Sequence, residues 1–251
     1  MDRMIHTALN SIRNIYDIRY TTSQNLANMV VPGFRREMPN EGGSGFLLDN
    51  GKLSARAFAL EMGPAQFSEE SGAINPSDLP TDVALVDESY FITDPGDSNF
   101  ALSRRGDLKT NAEGQLTDGA GSLMMSSTMQ PLNVPAYREI QITQIGEILV
   151  NPLQAEAGTF ISAGFIGTTT PQSKLVKDLD GHIRYADRSA ITPDQSGTIM
   201  QNALEASNVN PVEELVNSMQ MQRQFEINLK LISAAKELDE GGAQLLRMPN
   251  E

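Results

Sequence analysis

A chain of 251 residues can hold one large domain or two small ones, and an apolar share of 39% supports only a modest core. The net charge of -13 excludes a nucleic-acid backbone or an anionic membrane as partner, because like charge repels at contact. With no cysteine, disulfides and thiolate metal sites are impossible.

The opening stretch, MDRMIHTALNSIRNIYDIRY, carries polar or charged residues throughout. A cleaved Sec-type signal is therefore not expected, while export that leaves the N-terminus uncleaved stays open. No run approaches ~20 apolar residues, so membrane insertion is not expected either. From Met4 to Met29, Ile5, Ala8, Ile12, Ile15, Leu26 and Met29 recur at spacings of three and four, widened by Leu9 and Tyr16. This spacing predicts an amphipathic helix within 1–31, with Arg19 and Thr22 as breaks in its stripe. It stops at Pro32-Gly33. Most helical stability comes from burying an apolar face, so the stripe needs a partner.

The segment 32–80 reads as an irregular or β-hairpin connection, with NEGGSG at Asn40 to Gly45 as its flexible loop and Asn75 to Pro80 as a second irregular stretch. From 81 to 200 short β-rich runs alternate with turn signals, which predicts an all-β domain. NAEG at Asn111 to Gly114 and LDGH at Leu179 to His182 are its hairpin turns. The last segment, 201–251, begins with a turn and continues as a helix. Asn210 is placed to cap it, Pro211 suits its first position and Glu213 its third. Val212, Leu215, Met219, Phe225, Leu229, Ile232 and Ala235 form its stripe, with Gln222 as a polar break, and Gly241-Gly242 should end or bend it. The expected fold is α+β: long N- and C-terminal helices forming a coiled-coil-like layer, with an all-β domain inserted between them. The helices pack on each other or on other copies of the chain.

Chemistry is hard to find in this sequence. His6 and His182 are the only histidines, and both are expected to be exposed and structural. No nucleophile elbow, P-loop or dinucleotide fingerprint is present. Asp178 and Asp180 before Gly181 resemble part of a calcium loop, but Val176 and Asp187 fall where an Asp and a Glu are required, so the stretch reads as a turn. Glu69-Glu70, Asp82, Asp87-Glu88 and Asp94 give no spacing that singles out a catalytic pair. Arg35-Arg36 and Arg104-Arg105 read as surface charge, and the methionines as core or adaptable contacts. No enzyme activity, metal or cofactor is expected.

The two ends are more specific. NLANMVVPGFRRE resembles the N-terminal signature of the bacterial flagellar axial proteins, the rod and hook family, through Asn25, Leu26, Ala27, Asn28, Gly33, Phe34 and Arg35, with Val31 where that pattern usually has Thr. ALEASNVNPVEELVNSMQMQRQFEINLKLI resembles the family's C-terminal signature through Leu204, Glu205, Ser207, Asn208, Val209, Glu213, Gln222, Arg223, Phe225 and Glu226, with Asn202 where Gly is frequent. The interior from Asp82 to Met125 is similar to the family's segment in which a strand leads to Arg-Gly, Asn and Gly-x-Leu.

The resemblance implies a non-enzymatic subunit of the basal-body rod, at its proximal part or, as the near alternative, its distal part. It implies export through the flagellar type III apparatus into the periplasm, other rod subunits and itself as partners, and polymerisation through the terminal helices, Phe225 and Leu229 included. Two other classes compete: a non-flagellar coiled-coil adaptor, and a secreted β-domain protein such as a carboxylate-based hydrolase.

Overall fold

The structure, a computed structural model, describes residues 2–38, 45–47, 56–58, 66–96, 99–154, 156, 158–178 and 180–246. The chain forms two compact units, one of Met1–Ala27, Glu37–Gly63 and Asn210–Glu251, the other of Asn28–Arg36 and Pro64–Val209.

The first unit holds α1 (Asp2–Ala27), α2 (Pro211–Leu246) and an antiparallel pair of short strands, Gly45–Leu47 and Arg56–Phe58. The N-cap of α2 forms as its sequence requires, with Asn210 Oδ1 accepting from the amides of Val212 at 3.0 Å and Glu213 at 3.4 Å. Gly241-Gly242 does not stop the helix, which runs on to Leu246. Most of the expected NEGGSG loop lies outside the described residues.

The expected coiled-coil-like layer of two long helices is not formed. The described helices number two, the N-terminal one is the shorter at 26 residues, and the elements described between them are all strands. The helices do touch, through an edge-to-face contact of Tyr16 with Phe225 at 6.0 Å and a hydrogen bond from Asn228 to Ser11 at 2.9 Å. Among the side chains described, the buried ones of α2 are Glu214, Met221 and Ala235, and those of α1 are Ile15, Thr22 and Asn25. Val212, Leu215, Met219 and Leu229 of the expected seam remain exposed. The physical reason is that α2 carries apolar residues around its whole circumference, so periodicity could not say which side turns inward. Thr22, expected as a break in the α1 stripe, lies on the buried side. The fold is α+β, with two terminal helices and a largely β centre.

The second unit is that β centre. Its main antiparallel sheet runs in the order Leu175–Lys177, Ile183–Tyr185, Ala101–Ser103, Tyr90–Asp94, Leu123–Met124, Leu116–Thr117 and Lys109–Thr110, with Thr168–Thr169 also on Tyr90–Asp94. A three-stranded sheet, Tyr137–Ile142, Glu147–Pro152 and Ile161–Phe165, packs its Ile140, Ile148 and Val150 into the same core as Phe91 and Met124. Alternation along Tyr90–Asp94 sends Phe91 into that core and Tyr90 and Ile92 into a second one with Phe67, Leu102, Leu175 and Tyr185.

Both expected hairpin turns are present. Gly114 has φ +80 after Asn111, and Gly181 has φ +83 after Asp180. Asp178 and Asp180, the calcium-loop fragment, are ion-paired to Arg184. His182 is half-buried in that turn, where its amide donates to Asp180 at 3.0 Å. Ile74–Pro76, read as part of an irregular stretch, is a strand paired with Ala203–Glu205.

Candidate functional site

Glycine at position 33 is required by geometry. Its φ is +66, and a Cβ there would lie 2.3 Å from the carbonyl carbon and oxygen of Arg104. The close approach places the connector Gly33–Arg36 against the β unit. Gly33 N donates to the Glu205 carbonyl at 2.7 Å. Phe34 places its ring 4.0 Å from Lys177 Nζ, a cation-π contact.

Arg35 then enters the interior. It is 3% exposed, ion-paired with Glu205 at 3.1 Å, and donates to the Glu70 carbonyl and to Ser71 Oγ at 3.5 Å. On the other side of the same carboxylate, Arg104 Nε donates to Glu205 Oε2 at 2.7 Å. The remaining Arg104 nitrogens donate to the carbonyls of Asp87 at 2.6 Å, Leu85 at 2.9 Å and Ser89. Gly72 N completes the shell of Glu205 at 2.9 Å, and the Arg104 guanidinium sits 5.8 Å from the Tyr90 ring centroid.

Two cations thus share one anion in a dry site. Burial pulls the Arg35 guanidinium below its ordinary value and Glu205 opposes that shift, while burial pushes the Tyr90 hydroxyl up.

Asn208 reinforces this site with a full set of bonds. Its Oδ1 accepts from Arg36 N at 2.6 Å, its Nδ2 donates to the carbonyls of Glu70 at 2.8 Å and Ser68 at 3.3 Å, and its amide donates to the Phe34 carbonyl at 3.3 Å. Ser207 Oγ accepts from Val209 N at 3.2 Å, Val209 is buried, and Leu204 pairs with Asn75 in the Ala203–Glu205 strand.

In the first unit Asn25 is buried and holds Glu37 on both sides, accepting from its amide at 2.8 Å and donating to its carbonyl at 2.9 Å. Asn25 Nδ2 also lies 3.3 Å from Glu214 Oε1.

The structure therefore brings together Gly33, Phe34, Arg35, Glu205 and Asn208 in one unit, and Asn25 with α2 in the other. Leu26, Asn28 and Phe225 are half-buried, whereas Ala27, Glu213, Gln222, Arg223 and Leu229 are exposed. Arg35 and Arg104 are not the surface charge their sequence suggested. Arg104 and Glu214 were missed as members of these constellations. A signal for Arg104 was available, because a glutamate inside the strand-like run ALEA cannot be buried without a counter-charge.

Among the described residues no group of three or more His, Asp or Glu residues could hold a metal ion. No described helix is long and apolar enough to cross a membrane.

This geometry defines a clasp: its polar groups are engaged in fastening two connectors of the chain to a β unit. Residues 200–245 match the family model described as the flagellar basal body rod FlgEFG protein C-terminal. The flagellar basal-body rod protein FlgF of Salmonella typhimurium is 29% identical over 99% of this chain and 100% of its own length. The protein of the same name from Escherichia coli is 27% identical over the same shares. The flagellar basal-body rod protein FlgG of Buchnera aphidicola is 30% identical over 86% of this chain and 89% of its own. The chain belongs to the flagellar basal-body rod protein family.

Proposed function

We propose that this chain is a non-enzymatic structural subunit of the proximal part of the flagellar rod, with other rod subunits and itself as neighbours. The end-to-end match to relatives called FlgF supports the proximal position. The observation that carries the mode of action is the exposure of large apolar residues on both terminal helices: Leu9, Tyr16 and Tyr20 on α1, and Val212, Leu215, Val216, Met219, Ile227, Leu229, Leu231 and Leu238 on α2. Apolar area of this extent favours burial in an assembly. Neighbouring subunits cover these residues as the rod grows. The subunit reaches the periplasmic rod through the flagellar export apparatus. Torque transmission is then a matter of packing.

The test is a host strain carrying Leu229→Asp in place of the native residue. Leu229 is exposed, so the substitution should leave the folded subunit unchanged by circular dichroism. Export is expected to continue, with rods absent from isolated basal bodies and swimming lost. Normal rods and swimming would remove the helices from the assembly mechanism. A distal position is the second reading, favoured by the relatives called FlgG. Immunogold labelling of isolated rods separates the two by which end is decorated.

A further inference from the structure

The Arg35–Glu205–Arg104 site contains a directional dependence. The C-terminal connector has its own attachments: Ala203–Glu205 pairs with Ile74–Pro76, Ala206 N donates to the Ala73 carbonyl at 2.8 Å, and Glu205 is held by Arg104 and Gly72 N. None of these uses the N-terminal connector. The N-terminal connector also touches the β unit directly, through Arg35 to the Glu70 carbonyl, Ser68 N to the Arg36 carbonyl at 2.8 Å and Phe34 to Lys177, but Gly33 bonds the Glu205 carbonyl, Arg36 N bonds Asn208, the Phe34 carbonyl accepts from Asn208, and the buried charge of Arg35 is met by Glu205. The two main cores of the β unit contain no residue of either connector.

We infer that these three residues form a two-step latch within the β unit. Arg104 seats the Glu205 carboxylate, and with it the C-terminal connector. Only the seated carboxylate then compensates the buried Arg35 and docks the N-terminal connector. Arg104 is accordingly a positioning residue that acts on Gly33–Arg36 through Glu205, since an uncompensated guanidinium in that dry site returns to water and takes its backbone with it. The latch orders the two ends of the chain: residues 33–36 stay undocked until residues 203–208 have joined the β unit.

Hydrogen–deuterium exchange of the full chain tests this, read by peptide. In Glu205→Gln, which keeps the shape of the side chain but removes its charge, peptides spanning 28–38 should exchange at least tenfold faster. Peptides spanning 137–152, whose strands make no contact with the Glu205 site, should stay as protected as in the native chain. Uniform acceleration, or failure to fold at all, would mean that the site holds the whole β unit and is no latch. No change anywhere would mean that the charge does nothing.

Arg35→Met supplies the direction. It should release 28–38 while leaving 203–208 protected, because Arg104 still holds Glu205. Equal release of both connectors in Arg35→Met would overturn the order.

Discussion

Arg104 and Glu205 meet through an ion pair of 2.7 Å with both side chains 1% exposed, and this pair supports two arginines unequally. Arg104 serves Glu205 and three backbone carbonyls, whereas Arg35 serves Glu205, one carbonyl and one hydroxyl, with its Nε left without a hydrogen bond. Arg104→Met leaves Glu205 with Arg35 but also strips the Asp87, Leu85 and Ser89 carbonyls of their donor, and should therefore cost about 3–5 kcal/mol, the range for breaking a buried pair. Arg35→Met leaves a one-to-one pair behind and should cost about 1.5–3 kcal/mol, the range for hydrogen bonds to charged groups. Urea unfolding of both variants checks the ranking, and equal costs would contradict it.

Gly33 and Gly181 separate backbone strain from steric contact. Both have positive φ, but a Cβ at Gly181 meets nothing within 4 Å, while one at Gly33 meets the Arg104 backbone at 2.3 Å. Gly181→Ala should cost only the left-handed penalty, about 1–2 kcal/mol. Gly33→Ala should cost clearly more, since the neighbour is backbone and cannot rotate away. Thermal melting of the two variants side by side measures the difference. Matching midpoints would show that the connector yields to the added methyl.

How much of this was readable from sequence depends on the range of the interaction. The cap at Asn210 and the turns at Asn111 and Asp180 are local, so residue type decided them. The signature residues Gly33, Arg35, Glu205 and Asn208 were legible as a resemblance, but their meeting was not, because it joins positions about 170 residues apart. Arg104 stayed hidden for a similar reason: Arg-Arg-Gly looks like any exposed turn, and only the tertiary fold puts its first arginine inside and its second beside Asp107. The inward side of α2 could not be chosen because apolar residues surround that helix, and the polar Glu214 is buried while its neighbours Val212 and Leu215 of the expected stripe are exposed.

Asn202 has a φ of +58, in the left-handed region where the family resemblance expects glycine. Asparagine is among the few residues that visit the left-handed region routinely, and here its amide donates to the Asp82 carbonyl at 2.9 Å while its carbonyl accepts from Ser77 at 2.8 Å. Asn202→Gly should change stability by no more than about 1 kcal/mol. Asn202→Val should destabilise by about 1–2 kcal/mol, because a β-branched side chain clashes in that region. Equilibrium unfolding of both variants gives the comparison. A valine variant as stable as the native chain would mean that the backbone shifts out of the left-handed region without loss.

Asp118 provides the pH test. Burial raises its carboxyl above the ordinary carboxylate value, against the pull of the Ser122 and Ala120 amides and of Arg105. The folded state therefore binds the proton more tightly than the unfolded chain. The favourable contribution is complete below the unfolded value, about 3.9, and is lost as pH rises through the folded value. At neutral pH the ionised carboxylate opposes folding. Asp118→Asn keeps an oxygen to accept from both amides and has no proton to lose, so it should be more stable than the native chain at pH 7. Its advantage should shrink on acidification and disappear below about pH 4. Urea unfolding at pH 7, 5 and 3.5 follows that trend. An advantage that stays constant with pH would assign the effect to packing and leave the buried charge without a role.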